Sequence, residues 1–152
     1  MTVNVKFATV ANSIAALSVS GVHMYDTDQI PTNANMVVPC MFPKPYGYIS
    51  NITPTIETYG TAGSEKITLE YDLTYTYCHA AIAENLNFGV YAGFITKIAS
   101  ILVTLLTNDA VTGAVDIRVS SVSGFGIALD PAGNAYHGCD ITLHVQEFCE
   151  VS

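Results

Sequence analysis

Residues Lys66–Cys78 read KITLEYDLTYTYC and alternate without a break. Ile67, Leu69, Tyr71, Leu73, Tyr75 and Tyr77 fall on one side, and Lys66, Thr68, Glu70, Asp72, Thr74 and Thr76 on the other. Successive side chains of an extended chain point to opposite faces, so this period of two predicts a β-strand with one apolar and one polar face. Ile49–Tyr59, with Ile52 and Ile56 in phase, predicts its antiparallel partner. Gly60-Thr61-Ala62-Gly63-Ser64 supplies the turn between them. At ~3.3 Å per residue the second strand is roughly 40 Å long. A domain of this length has a radius of gyration near ~15 Å, so a long hairpin projecting beyond the globule is expected. A lone two-stranded ribbon is marginal in water, and a bare edge invites uncontrolled pairing. Tyr59, Gly60, Thr61, Ala62, Gly63, Ser64 and Glu65 are therefore candidate contacts to another chain, with the strand behind them. The competing reading folds the hairpin back onto the chain's own second helix.

Working outward, Phe7, Val10, Ala11, Ile14 and Leu17 recur at helical spacing and predict a helix over Val3–Val19, stopped by Gly21. Val22–Tyr25 and Met36–Val38 read as short strands around a polar loop, Asp26–Asn35. Pro39, Pro43, Pro45 and Gly47 predict a non-regular stretch, whose Cys40-Met41-Phe42 and Tyr46–Ile49 either pack on the core or dock a partner. After a connection at His79–Asn87, a second helix runs from Phe88 or Gly89 to Leu106. It is apolar almost all round, so it should lie deep or be covered by a neighbouring subunit. Gly89–Thr107 is long enough to span a membrane, but Lys97 near its centre costs roughly 2.5–3.5 kcal/mol, so a buried helix is the expectation and no membrane partner. Strands follow at Ala114–Ser120 and Phe125–Leu129, interrupted at Gly124-Phe125-Gly126, then a turn at Asp130–Asn134 and a last strand, Ala135–Phe148. The expected fold is α+β: an antiparallel or mixed sheet with a long projecting hairpin and two helices on one face, residues 1–152 forming a single domain.

The composition narrows function. Of 152 residues, half are apolar and 12% charged, with 5 basic and 13 acidic side chains and a net charge of −8. The apolar fraction excludes intrinsic disorder. Five scattered cations cannot neutralise a phosphate track, which excludes autonomous binding to duplex DNA. The charged share is about half the usual ~25%. Either a Thr- and Ser-rich surface replaces it, or much surface is buried against copies of the same chain. Cys40, Cys78, Cys139 and Cys149 show no paired spacing and no zinc pattern. With an amino terminus unlike a secretory signal, they predict free thiols and synthesis in a reducing cytoplasm.

Catalytic patterns are weak. No GxSxG elbow occurs; Ser121–Gly126 reads SVSGFG. Cys139 could pair with His137 or His144 as a nucleophile–base dyad, the basis of a rival reading as a small hydrolytic or ligand-binding domain. Asp26 and Asp28 form a DxD pair without an EF-hand loop. Gly124-x-Gly126 precedes no helix and reads as a bulge or close backbone approach, not a phosphate cradle. Tyr71, Tyr75 and Tyr77 could stack bases, but they alternate with Glu70 and Asp72 and read better as core or protein interface. No enzyme activity, metal or cofactor is expected.

Taken together, the leading helix followed by Gly21-Val22-His23-Met24-Tyr25-Asp26, the Pro-rich Val37–Pro45, the long hairpin, the apolar second helix and the closing Tyr136-His137-Gly138-Cys139-Asp140-Ile141-Thr142-Leu143-His144-Val145 resemble phage tail terminator proteins, also called tail completion or head–tail joining proteins. In that family the closing strand often reads as an aromatic, a Gly and alternating apolar residues ending near an acid, here Glu147. The likeness is one of order and pattern. It implies a non-enzymatic virion protein, commonly a homohexameric ring, that caps the head-proximal end of the tail tube, stops its polymerisation and meets the head connector or neck protein. A tail tube or neck component shares the plan. In such a ring DNA passes through without specific binding, and Asp26, Asp28, Glu57, Glu65, Glu70, Asp72 and Asp109 are candidates to line the channel, where like charge repels DNA. The Cys and Tyr content departs from what that role explains.

Overall fold

The computed structural model describes residues 3–31, 36–57, 66–84, 88–108 and 116–151. The elements are β1 (Val3–Asn4), α1 (Phe7–Ala15), β2 (His23–Met24), β3 (Cys40–Pro43), β4 (Ile49–Glu57), β5 (Lys66–Ala81), α2 (Phe88–Thr107), β6 (Asp116–Leu129) and β7 (Ala135–Val151). They build one mixed, seven-stranded sheet with two helices, an α+β fold.

The alternating stretch forms β5, the centre of that sheet. β7 pairs antiparallel along it, from Ile67↔Cys149 to Ala81↔Tyr136. The other side of β5 is shared by β4 and β3. β6 and β1 flank β7. β4 and β6 are thus opposite edges. The long hairpin of β4 and β5 forms, but length alone does not isolate its second arm: β7 is 17 residues long and backs it from end to end. The β4 arm differs, since every residue from Asn51 to Glu57 is exposed. The turn at Tyr59–Glu65 lies outside the described residues.

Both helices pack on the face made by the odd-numbered residues of β5. Tyr71, Leu73, Tyr75 and Tyr77 are fully buried there with Val10 and Ile14 of α1, Phe94, Ile101 and Leu105 of α2, and Ile141, Leu143 and Val145 of β7. Phe7 meets Tyr71 edge-on at 4.7 Å, and Phe94 meets Tyr77 at 5.7 Å. The tyrosine row is core. A smaller cluster on the opposite face, with Tyr25, Met36, Cys40, Phe42, Cys78 and Tyr136, covers only the β3 end of the sheet.

Three expectations are corrected. The first helix is shorter than Val3–Val19: Val3–Asn4 pairs with Val151 and Glu150 instead, and the helix ends at Ala15. Met36–Val38 is not a strand. The proline-flanked Cys40–Pro43 is, wholly buried and paired with Tyr75–Cys78; a Pro at a strand end need not donate to the ladder. β6 runs through Gly124-Phe125-Gly126 without a break and absorbs the glycines as a bulge, Gly124 at φ +66° and Gly126 at φ +145°. Across from it Gly138 is required for a different reason: a Cβ there would lie 2.8 Å from the Ala128 Cβ and still closer to the Tyr77 carbonyl oxygen.

Candidate functional site

Two surfaces stand out, one polar and one apolar. The polar one is the face of the even-numbered residues of β5 and β7 and of the β4 and β6 residues that register sets beside them, on which neither described helix packs. Register stacks Asp72, His144 and Arg118 in one row, Glu70, Gln146 and Asp116 in the next, and Thr74, Thr142 and Ser121 on the other side. His144 Nδ1 lies 2.9 Å from Asp72 and its Nε2 3.5 Å from Glu70. The hydrogen bond to Asp72 holds the imidazole above its usual range, against partial burial and with help from Glu70. Burial works against the charge on Asp72, but hydrogen bonds from Asn51 (2.8 Å) and His144 and the imidazole charge outweigh it and keep the carboxyl below its usual range. Asn51 reaches in because it sits in a left-handed bulge residue of β4, at φ +54°. Lys44 binds Asp140 at 2.8 Å and Arg118 binds Asp116 at 2.6 Å on the same face.

The sequence-derived acids fall into separate groups. Glu57, Glu70 and Asp72 share this open face. Asp26 belongs to the helix side, near the Tyr48–Tyr75 hydroxyl pair; burial first, and Asp26 in support, push Tyr48 up to about 12. Asp28 is exposed in the loop after β2. Glu65 and Asp109 lie outside the described residues. Asp116 and Asp140 join the open face without having been singled out in the sequence, because only register places them beside Gln146 and Thr76.

The apolar surface is the outward side of α2. Phe94, Ile101 and Leu105 are buried, but Tyr91, Ile95, Val103 and Leu106 are 50–64% exposed, with Ala92 and Ala99 open between them. Only 17% of the apolar Gly89–Thr107 window is buried, so the helix does not lie deep. Lys97, half-buried, lies across the helix from these residues and donates to the exposed Ser20 carbonyl at 3.1 Å. Next to the stripe, Tyr91, Phe94, Ile95, Ile98 and Phe125 line a groove of about 280 Å³. Helical periodicity reveals such an outward stripe only once the buried side is known.

The suggested catalytic groups do not converge. Cys139 is buried in the helix-side core, where burial pushes its thiol up to about 12. His137 contacts the Glu84 carbonyl at 2.7 Å, and His144 lies on the opposite face. Cys40 and Cys78 face each other across β3 and β5, and that mutual hydrogen bond together with burial raises Cys78. All four cysteines are free and buried. Asp26 binds the backbone N–H of Thr27 at 2.7 Å rather than converging with Asp28. Among the described residues no group of three or more His, Cys, Asp or Glu side chains could hold a metal. Glu147, which the sequence marks only through the family resemblance, is a buried acid that accepts from the Tyr71 hydroxyl at 3.0 Å and from the backbone N–H of Lys6, at the start of α1, at 3.1 Å. It anchors the helix to the sheet. No protein-family model matches the sequence, and no curated protein matches it.

Proposed function

We propose that the chain is a structural virion protein of the tail terminator type, a ring-forming subunit that caps the head-proximal end of a phage tail tube and meets the neck. The observation that carries this reading is the outward side of α2: a row of large aliphatic and aromatic side chains left open in a chain with only 12% charged residues. Monomeric soluble proteins rarely leave contiguous apolar patches of more than a few hundred Å², and assembly covers such a patch. The open polar face supports the same reading. Its five carboxylates (Glu57, Glu70, Asp72, Asp116, Asp140) exceed its three fixed cations (Lys44, Lys66, Arg118), a balance that suits a channel wall past which DNA slides. The ring is homomeric, with the tail tube and head-connector proteins as its other partners, DNA as a passing cargo and the virion tail as its location after synthesis in the host cytoplasm. A tail tube or neck role rests on the same surfaces. Adding the purified chain to the polymerising tail tube protein of the same virus separates them: a terminator arrests growth at one end, whereas a tube subunit lengthens the tubes. Tubes that grow unaltered contradict the terminator and the tube readings and leave the neck role.

A further inference from the structure

The α2 stripe has a counterpart at the other edge of the same sheet. α2 lies over β6, where Phe94 meets Phe125, and β4 is the opposite edge, paired among the described residues with β5 alone. On β4, Ile52 and Ile56 are 51% and 63% exposed, and Ile56 sits on the helix-bearing face, opposite Ile67. We propose that the β4 arm of one copy packs on the outward stripe of α2 of the next, so that copies join head to tail.

Four observations argue for this occupant. The lengths agree: Tyr91 to Leu106 spans roughly 22 Å at 1.5 Å per residue, and Asn51 to Glu57 roughly 20 Å at 3.3 Å per residue. The chemistry agrees: the stripe is uncharged because Lys97 lies across the helix from it, reaching the Ser20 carbonyl, and Asn51–Ile56 contains no charged residue, the arm's one acid, Glu57, lying on the other face opposite Lys66. The area is of the right order. Five half-exposed side chains, counting Phe125, present on the order of 500 Å² at roughly 100 Å² each, the upper range for a monomer's patch and most of the ~800 Å² per partner of a standard interface. The mode is side-chain packing and not strand addition, since Pro54 lacks a donor and the Asn51 bulge disrupts the edge. An anionic membrane is disfavoured as occupant, because surface helices of that kind carry several Lys or Arg on their polar face and α2 has a single cation, Lys97, already bound to the Ser20 carbonyl. Two different surfaces at opposite edges make a heterologous contact, the type that closes into rings.

This inference rests on the ring reading. Ile56→Asp and Leu106→Asp each destroy one half of the contact at an exposed position, with Val103→Asp as a second variant on the helix. Molecular mass in solution, by light scattering or mass photometry, is the readout. The wild type assembles; each variant alone is a folded monomer, with assembly shifted at least tenfold in concentration. An equimolar mixture of Ile56→Asp and Leu106→Asp then forms one-to-one dimers, because one intact β4 arm meets one intact α2. If Ile56→Asp assembles like the wild type, the occupant is another α2 or another partner, and the inference fails while the ring reading stands. A mixture that stays monomeric also overturns the inference. A monomeric wild type overturns both.

Discussion

Replacing Tyr71 by Phe removes one oxygen atom from the centre of the sheet and tests how α1 is held. The Tyr71 hydroxyl donates to Glu147 at 3.0 Å, and both side chains are fully buried. Burial, and after it the neighbouring Glu147, push the phenol far above its usual range, so it stays a donor at any ordinary pH. The Phe ring keeps the edge-on contact with Phe7 at 4.7 Å, so packing volume barely changes. What is lost is one of the bonds that compensate a buried carboxylate; the Lys6 N–H, at 3.1 Å, remains. Hydrogen bonds to charged groups contribute about 1.5–3 kcal/mol. For a chain of this size that lowers the midpoint of thermal unfolding by roughly 3–12 °C, at 2–4 °C per kcal/mol. The assay is thermal and urea unfolding followed by circular dichroism, at fixed protein concentration because assembly itself stabilises. A cycle with Glu147→Gln and the double variant should show a coupling of about 1 kcal/mol or more. A Tyr71→Phe protein within ~0.5 kcal/mol of the wild type, or strictly additive variants, would refute the claim that Glu147 anchors the helix through this bond.

The Asp72–His144 pair has a signed pH dependence: His144 is raised, so its contribution to stability is complete below the unfolded histidine value and fades as pH rises through the folded one. Asp72 is lowered, so its contribution is complete above the unfolded aspartate value and fades as pH falls through the folded one. Asp72→Asn should move the NMR titration of His144 downward; an unchanged titration would show that the pair does not exist in solution. Gly138→Ala forces a Cβ against the Tyr77 carbonyl and the Ala128 Cβ, and should cost at least ~1–3 kcal/mol in urea unfolding; a neutral substitution would mean the strands are not that close. The four thiols should resist an aromatic disulfide reagent in the native protein and react only at the rate of unfolding, since all are buried. Stoichiometric labelling within seconds under native conditions would contradict that burial.

The parts of the fold legible in the sequence were those governed by a long period. The alternation at Lys66–Cys78, the 20-residue apolar helix and the Ala135–Phe148 strand all appear where their patterns place them. Short elements were not legible, because pairing partners far away in sequence decide them. Val3–Asn4 becomes a strand only because the carboxy-terminal end of β7 lies beside it. Cys40–Pro43 becomes one because the far half of β5 offers an unpaired edge, even though two prolines frame it. Of the site, the polar face of β5 was readable residue by residue, but not that Asp116 and Arg118 of β6 and Asp140 of β7 would extend it, since only the pairing of strands far apart in sequence sets them beside Gln146, His144 and Thr76. The apolar excess of α2 was equally plain. Which side of it stays open depended on where the tyrosine row lay, a tertiary fact no local window contains.

A closed ring of this chain's own copies, as proposed above, has a mass and a shape that can be read from the purified protein. Mass photometry of the purified protein, with negative-stain images of the same sample, tests it most directly. A homohexameric ring gives one dominant species near 97 kDa, six times the 16.2 kDa chain, appearing as rings with an open centre. A single 16.2 kDa species persisting at concentrations well above micromolar would contradict it.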